Sequence, residues 1–307
     1  MKREVLIRNK NLTAKVFTLI FFLILFLFVI RLGYLCLTGK VDGIDLKSFA
    51  NKRNTKKETL LASRGNIYDA NSEVLAQTIN SYTIIAYLDE SRSEGSKKPM
   101  HVVNKELTAE KLSTVLNMSK EKILERLNKK AYQVEFGSAG KGLTELQKEA
   151  IENLELSGID FITTHKRYYP NNTFLSYIIG YTTDDDTTMK GEMGIEKSYN
   201  DVMTGVNGFV EYQKDLNGYK FPNANEIRKE KVDGNDVYLT IDSNVQMSLE
   251  TITAKASSES DSDWMIAVVA DTKTGKILGS ATSPTFNPNT KEISNYLNPL
   301  VSYTYEP

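Results

Sequence analysis

Four segments of the chain carry side chains at the spacings that serine acyl transfer uses. A serine followed three residues later by a lysine can pair a nucleophile with a base one helical turn away, and SxN and KTG motifs can complete such a pocket. The four matches are Ser119-x-x-Lys122, Ser138-x-x-Lys141, Ser198-Tyr199-Asn200 and Lys273-Thr274-Gly275. Taken together, they would describe a complete acyl-transfer site.

The local sequence around these matches argues against a catalytic role. Ser119 precedes an apolar pattern of helical spacing, so it is predicted to cap a helix, with Glu121 near the positive end. Ser138 lies in a glycine-rich loop, and Lys273 lies in the turn of a predicted hairpin. Such short patterns also arise by chance in a chain rich in Ser and Lys. We therefore predict that none of the four is catalytic.

Composition excludes several other kinds of site. The 307 residues carry a formal net charge of −1, so no global basic field points to nucleic acid. The single cysteine, Cys36, and the separated histidines, His101 and His165, form no zinc-ligand pattern. Residues 184–186 are consecutive aspartates without the alternating ligands and the glycine of a calcium loop. The sequence predicts no metal, no cofactor and no nucleic-acid partner.

The N-terminal region contains a candidate membrane anchor. Residues 16–37 are almost wholly apolar apart from Arg31, and their length matches the ~20 residues that cross a bilayer as a helix. A cleaved signal peptide is the alternative, but its apolar core is shorter and leads to a small-residue site that residues 34–37 do not offer. The basic residues before the span predict a cytoplasmic N-terminus and an extracytoplasmic bulk.

Helical and strand patterns follow one another beyond the span. Residues 81–88 and 159–163 are predicted as strands, and residues 107–130 as helical. A further helix is predicted at 144–156, with Thr144 and Gln147 as a capping box and Leu146, Ala150, Ile151 and Leu154 on its buried face.

The C-terminal quarter has its own pattern. Residues 234–242 alternate as a half-buried strand, and residues 243–257 are predicted as a helix with Val245, Leu249, Ile252 and Ala256 along one face. Residues 264–270 and 276–282 are predicted as two strands of a hairpin.

Three segments resemble signatures of class B penicillin-binding proteins. They are Arg64-Gly65-x-Ile67-x-Asp69 with Leu75-Ala76, Arg167-Tyr168-Tyr169-Pro170 with Gly180-Tyr181, and Gly191-Glu192-Met193-Gly194-Ile195-Glu196. In that family the three signatures define a non-catalytic pedestal, also called the dimerisation domain. Ser72 stands where the family usually has glycine, and Tyr177 where it often has histidine, which puts only local turn geometry in question.

The remaining segments resemble the opening of that family's transpeptidase domain. They are Leu239-Thr240-Ile241-Asp242 with Gln246, Asp271-x-x-Thr274-Gly275-x-Ile277-Leu278, and residues 283–289. Tyr305-Glu306-Pro307 is similar to the segment that leads directly into Gly-Ser-x-x-Lys. The resemblance therefore places the catalytic serine just after Pro307, and we expect no catalytic residue within the chain.

The resemblance implies an α+β fold with a single N-terminal transmembrane helix, a mixed α+β pedestal, and the first strands and helix of a truncated transpeptidase domain. The expected boundaries are a cytoplasmic tail at 1–15, a transmembrane helix at 16–37, a stalk at 38–60, a pedestal at 61–225 and an incomplete transpeptidase domain at 232–307. The expected location is the bacterial cell membrane.

The resemblance also implies function and partners. The family's serine forms an acyl-enzyme with the D-Ala-D-Ala end of a peptidoglycan stem peptide and passes it to a neighbouring amine, and β-lactams mimic that substrate. Both would bind the full-length protein only. The other implied partners are the membrane, a polytopic glycan polymerase, division proteins and a second copy of the chain in a homodimer. Residues 132–137 resemble the Gram-positive division branch, which implies a role in the septal wall.

Two functions remain open from the sequence. The chain is either the front part of a peptidoglycan transpeptidase, truncated in the sequence or in the gene, or a non-catalytic scaffold. A pedestal-only scaffold should end near residue 230, whereas this chain continues into strands that would lack sheet partners. A β-lactam-sensing receptor would also need the serine. Within the pedestal, we predict that Arg64 or Arg167 forms an ion pair with Glu196.

Overall fold

A computed structural model describes residues 2–41, 44–45, 55–184, 187–214, 220–221 and 226–304. The chain forms two compact units: residues 1–57 with 211–226, and residues 58–210 with 227–307. Most of the predicted stalk, two of the three consecutive aspartates and the final residues 305–307 lie outside the described residues.

The first unit contains the predicted anchor. Helix α1 (Lys2–Thr38) includes an apolar stretch, Lys15–Thr38, of 24 residues with a mean hydropathy of 2.7 and no buried side chain. At 1.5 Å per residue it is about 36 Å long, enough for the ~30 Å apolar core of a bilayer. The helix ends at Gly39, whose positive φ is typical of a C-terminal cap. Strands β1 (Lys40–Val41) and β2 (Ile44–Asp45) then pair antiparallel.

The second unit holds most of the regular structure. Its helices are α2 (Lys105–Ser113), α3 (Lys120–Leu127), α4 (Glu145–Glu152), α5 (Ser176–Ile179), α6 (Gly194–Ser198), α7 (Asn200–Met203), α8 (Ser243–Ser260) and α9 (Pro299–Ser302). The strands in its first half are β4 (Ile67–Tyr68), β5 (Val74–Tyr87), β6 (Gln133–Glu135), β7 (Ile159–Tyr168), β8 (Thr182–Asp184) and β9 (Met189–Gly191). Strand β10 (Gly208–Gln213) begins in this unit and ends in the first. The last strands are β11 (Ile227–Lys229), β12 (Val237–Tyr238), β13 (Met265–Ala270) and β14 (Ile277–Ser283). Strand β3 (Thr55–Leu60) spans the boundary between the units.

Strand β5 organises the second unit. It pairs antiparallel with β4 at its start, with β6 at its end and with β7 along residues 77–86. Strand β12 adds to β4 in parallel, so Val237 lies opposite Ile67. Strand β4, in the first pedestal signature, and strand β12, about 170 residues later, therefore belong to one sheet.

Two apolar cores lie on this framework. The first packs β5, β6 and helices α2, α3 and α4 around Ile84, Leu112 and Phe136. The second joins the signature segments to the start of the C-terminal region; its buried members are Ile67, Leu75, Ala76, Tyr169, Phe174, Leu175, Ile179, Met203, Val237 and Ile241. Burial of residues from both halves of the unit in one core makes those halves mutually dependent.

The predicted α+β fold and the C-terminal hairpin are confirmed, since β13 and β14 pair antiparallel. The Thr144–Gln147 capping box is also present. Ser119 occupies the N-cap of α3, but its side chain accepts from no helix N–H. The pKa of the Glu121 carboxyl is lowered by a hydrogen bond from its own backbone N–H and by one from the Ser119 side chain.

The predicted helix faces were partly wrong. Leu146 is 77% exposed, because α4 is rotated so that Ile151 and Lys148 face the sheet, with the Lys148 ammonium over the Tyr82 ring. Ile252 is 65% exposed, because α8 instead buries Gln246 and Thr253, whose polar groups are hydrogen-bonded.

Candidate functional site

The three pedestal signatures meet at one buried carboxylate. Arg64 Nε donates to Glu196 Oε2 at 2.6 Å, and Arg167 Nε donates to Glu196 Oε1 at 2.7 Å. All three side chains are at most 2% exposed. One arginine was predicted to pair with Glu196; the structure shows that both do.

Most of the remaining arginine donors are directed to neighbouring polar groups. Arg64 Nη2 donates to the Glu196 carbonyl at 2.7 Å, and Arg64 Nη1 donates to Asn200 Oδ1 and Thr204 Oγ1. Arg167 Nη1 donates to the Gly65 carbonyl at 2.8 Å, while Arg167 Nη2 is buried without a partner among the described residues. The cluster thus joins the segment before β4, strand β7 and the α6–α7 segment by charge-assisted bonds, the stronger class of hydrogen bond.

Close backbone approaches hold the first signature against the C-terminal half of the unit. A Cβ on Gly65 would lie 1.9 Å from the Asn235 carbonyl oxygen, and a Cβ on Gly234 would lie 1.6 Å from that of Met203. Gly65 N–H donates to the Met203 carbonyl, and the Tyr68 and Tyr238 rings stack at 4.9 Å. Only glycine permits backbones to pack this closely.

Asp69 joins the first signature to helix α8. Its Oδ1 accepts from the backbone N–H groups of Asn71 and Glu73, and its Oδ2 accepts from Ser243 Oγ at 2.7 Å and from Ser243 N–H. Burial raises the pKa of Asp69, but the hydrogen bonds, led by that from the Ser243 side chain, hold the pKa below its usual value. Asp69 is therefore ionised and holds the first turn of α8.

Gln246 joins helix α8 to strand β14, and Glu250 joins the same helix to the backbone at Leu175. The Gln246 amide donates to the Ser280 carbonyl and accepts from the Ser280 N–H, so it pairs with β14 as a backbone group would. Glu250 accepts from Gln246 Nε2 and from the N–H of Leu175, both at 2.7 Å. Leu175 has a φ of 54°, a strained value for leucine, and its N–H is held by this carboxylate.

The segment that follows β14 also contacts the pedestal. Asn289 exchanges hydrogen bonds with both backbone groups of Tyr169, and Thr285 Oγ1 lies 2.6 Å from Ser176 Oγ. Phe286 is buried and packs edge to face against Tyr177 at 5.1 Å and Tyr181 at 6.4 Å. We call the contacts of Asp69, Glu250, Phe286 and Asn289 the junction.

The segments that resemble acyl-transfer motifs lie on different elements. Ser119 begins α3, Ser138 lies in the short 3₁₀ turn Gly137–Gly140, Ser198 ends α6, and Lys273 lies in the β13–β14 turn. There the Asp271 carboxylate accepts from Lys273 N–H and Thr274 Oγ1.

Comparison with known families gives two matches. Residues 59–239 match the penicillin-binding protein dimerisation domain, and residues 265–307 match the penicillin-binding protein transpeptidase domain. The chain belongs to the class B penicillin-binding proteins, with a dimerisation domain followed by part of a transpeptidase domain.

Individual relatives agree with this assignment. Stage V sporulation protein D of Bacillus subtilis is 32% identical over 92% of this chain and 42% of its own length, and peptidoglycan D,D-transpeptidase MrdA of Escherichia coli is 27% identical over 84% and 43%. The chain thus spans about two fifths of these relatives.

Solved structures show the same fold. Penicillin-binding protein 2X of Streptococcus thermophilus is 33% identical, with a TM-score of 0.58 over 77% of this chain and 36% of that chain. Penicillin-binding protein 2 of Helicobacter pylori, solved in complex with MreC, is 22% identical, with a TM-score of 0.57 over 77% and 44%.

The sequence indicated some of this site and missed the rest. Arg64, Arg167, Glu196 and Asp69 lie in the recognised signatures, and Gln246 was noted with the transpeptidase opening. The roles of Ser243, Glu250 and Asn289 were missed. Glu250 and Asn289 bind backbone groups, which leave no trace in side-chain type or spacing, and Ser243 binds Asp69 across 174 residues.

Proposed function

We propose that this chain provides the membrane anchor and pedestal of a peptidoglycan D,D-transpeptidase and positions the start of its catalytic domain. The observation that carries the proposal is the junction: Asp69 and the backbone of residues 169–175 hold α8 and residues 285–289 by direct hydrogen bonds. A pedestal that only recruited partners would not need to bind the opening of a catalytic domain so closely.

The proposed reaction is acyl transfer at a serine located after Pro307, with the D-Ala-D-Ala end of a stem peptide as acyl donor and a neighbouring amine as acceptor. β-Lactams would acylate the same serine. The match of residues 265–307 to the transpeptidase domain and the names of the relatives support this reaction. We propose no catalytic residue within residues 1–307.

The proposed organisation places residues 1–15 in the cytoplasm, 16–37 in the membrane, a stalk at 38–60, the pedestal at 61–225 and the start of the transpeptidase domain at 232–307. The 24-residue apolar helix supports the anchor, and the basic residues before it support the orientation. We also propose a role in the septal wall, with a polytopic glycan polymerase and division proteins as partners, and assembly as a homodimer. The complex of the Helicobacter relative with MreC supports a protein partner in general.

Fluorescent penicillin labelling of native membranes tests the proposal. The labelled protein would be identified by peptides from residues 64–76 and 264–289. A labelled band well above 34.6 kDa is expected if the natural protein continues into an active transpeptidase. An unlabelled band near 34.6 kDa would instead favour the second candidate, a non-catalytic membrane scaffold.

A further inference from the structure

A groove on the first apolar core's outer surface carries unpaired positive charge. It measures about 410 Å³ and is lined by Leu88, Asp89, Lys105, Lys129, Lys130 and Tyr132, with Ala131 between the last two. We call it the lysine groove. Lys129, Lys130 and Tyr132 are exposed, and Tyr132 is 51% accessible.

The three lysines of the groove form no ion pair among the described residues, unlike other lysines nearby. Lys120 pairs with Glu110, and Lys148 pairs with Glu145. The one carboxylate in the groove, Asp89, accepts from the Ser91 N–H, and hydrogen bonds from Ser91 lower its pKa. Asp89 is thus directed to its own turn, and three cations face one anion in the groove.

Helix electrostatics explain only part of this pattern. Lys129 and Lys130 follow the C-terminus of α3, where the helix dipole favours cations. Lys105 is the first residue of α2, where the dipole disfavours a cation. A lysine at this helix end gains nothing from local structure, so its charge is available for a ligand.

We propose that the lysine groove docks an extended acidic segment of a protein partner. The three cations of the groove lie on two separate pieces of chain, the start of α2 and the residues that follow α3, so a single ligand that met all of them would contact both pieces. An extended segment with acidic residues at alternate positions presents carboxylates about 7 Å apart on one face, so it can meet more than one of these cations at once. Tyr132 adds an aromatic surface beside them, a residue type enriched at protein interfaces. The proposal concerns the pedestal alone and does not depend on acyl transfer.

Fluorescence anisotropy on the full chain in detergent, with a fluorescein-labelled peptide of alternating Glu and Gly, tests the docking. The variant Lys105→Gln, Lys129→Gln, Lys130→Gln is expected to weaken binding by about tenfold, the sum of three exposed charge contacts. A matched variant, Lys190→Gln, Lys255→Gln, Lys273→Gln, removes the same charge elsewhere and is expected to change binding by less than about twofold. An unchanged midpoint of chemical denaturation verifies that each variant is folded.

Three outcomes would overturn the proposal. The first is the absence of saturable peptide binding to the wild-type chain at low salt. The second is an equal loss in both triple variants, which would mean that only net charge matters. The third is tighter, groove-dependent binding of poly(glycerol phosphate) at matched charge, which would make the occupant an anionic wall polymer.

Discussion

The Arg64 side chain binds both the carboxylate and the backbone carbonyl of Glu196. Nε donates to the carboxylate at 2.6 Å, and Nη2 donates to the carbonyl of the same residue at 2.7 Å, although 132 residues separate the two in sequence. Since Arg167 binds the other carboxylate oxygen, Glu196 is the point at which the three signatures are joined.

Replacing Glu196 by glutamine should destabilise the pedestal strongly. The change leaves two buried guanidinium groups without a counter-charge, and breaking a buried pair in this way costs about 3–5 kcal/mol. The free energy of unfolding of the full chain in detergent, from urea titration, measures the loss. The control is Glu192→Gln, whose partner Lys190 is 72% exposed. A loss below about 1 kcal/mol for Glu196→Gln would contradict the central role of the carboxylate.

The substitution Arg64→Lys should destabilise the pedestal. A lysine keeps the charge but cannot direct donors at once to the Glu196 carboxylate, the Glu196 carbonyl and Asn200. We expect a loss of at least about 2 kcal/mol in the same titration, with partial retention relative to Arg64→Ala. Equal stability of Arg64→Lys and the wild type would show that charge alone suffices.

Gly65→Ala should be more harmful than Gly275→Ala. At Gly65 a methyl group would meet the Asn235 carbonyl oxygen at 1.9 Å, and relief requires the two backbones to separate, at a cost of about 3 kcal/mol. At Gly275 nothing lies within 4 Å, and only the positive φ opposes the change, at about 1 kcal/mol. Thermal denaturation of both variants checks the order, and the reverse order would mean that the Gly65 contact is readily relaxed.

The bond between Asp69 and Ser243 should give a distinct pH dependence. The folded-state pKa of Asp69 lies below its unfolded value of about 3.9, so its stabilisation is complete above about pH 5 and is lost as the pH falls through the folded pKa. Ser243→Ala removes the leading hydrogen bond, raises that pKa and should cost about 2 kcal/mol near neutral pH.

Denaturation titrations between pH 3 and 7 measure this dependence. The deficit of Ser243→Ala relative to the wild type should shrink below about pH 4, because a protonated Asp69 gains less from the hydroxyl. Asp69→Asn is the control, and its own curve should lack this transition. A deficit that is constant across the pH range would mean that Ser243 acts through packing alone.

The serines of the motif-like segments should be dispensable for penicillin binding. Ser119→Ala and Ser138→Ala, combined in the natural full-length protein, should leave the extent of fluorescent penicillin labelling unchanged, because Ser119 begins α3 and Ser138 lies in the turn Gly137–Gly140, on different elements from the SxN and KTG segments. Loss of labelling in a folded double variant would place the nucleophile within this chain.

Sequence patterns identified the important residues, but they did not predict which of those residues contact one another. Arg64, Arg167 and Glu196 stand out as charged residues within signatures, yet their convergence depends on pairings across 132 and 29 residues that no local pattern encodes. Leu146 was predicted to be buried from its hydrophobicity and helical spacing, but it is exposed, and the Lys148 ammonium on the same helix lies over the Tyr82 ring. Glu250 and Asn289 resemble ordinary surface residues in sequence, because their partners include the N–H of Leu175 and both backbone groups of Tyr169.

The parallel pairing of β4 with β12 sets an order of events during synthesis. Asn66 binds Asp236 across 170 residues, so the second apolar core cannot close until residue 241 has left the ribosome and reached the same compartment. At about 5–20 residues per second, this interval is roughly 10–30 s. During that time the first signature is exposed, with Ile67 and Leu75 open to solvent, and is a segment that a holding chaperone would bind. The first core, formed by residues 82–161, can close earlier.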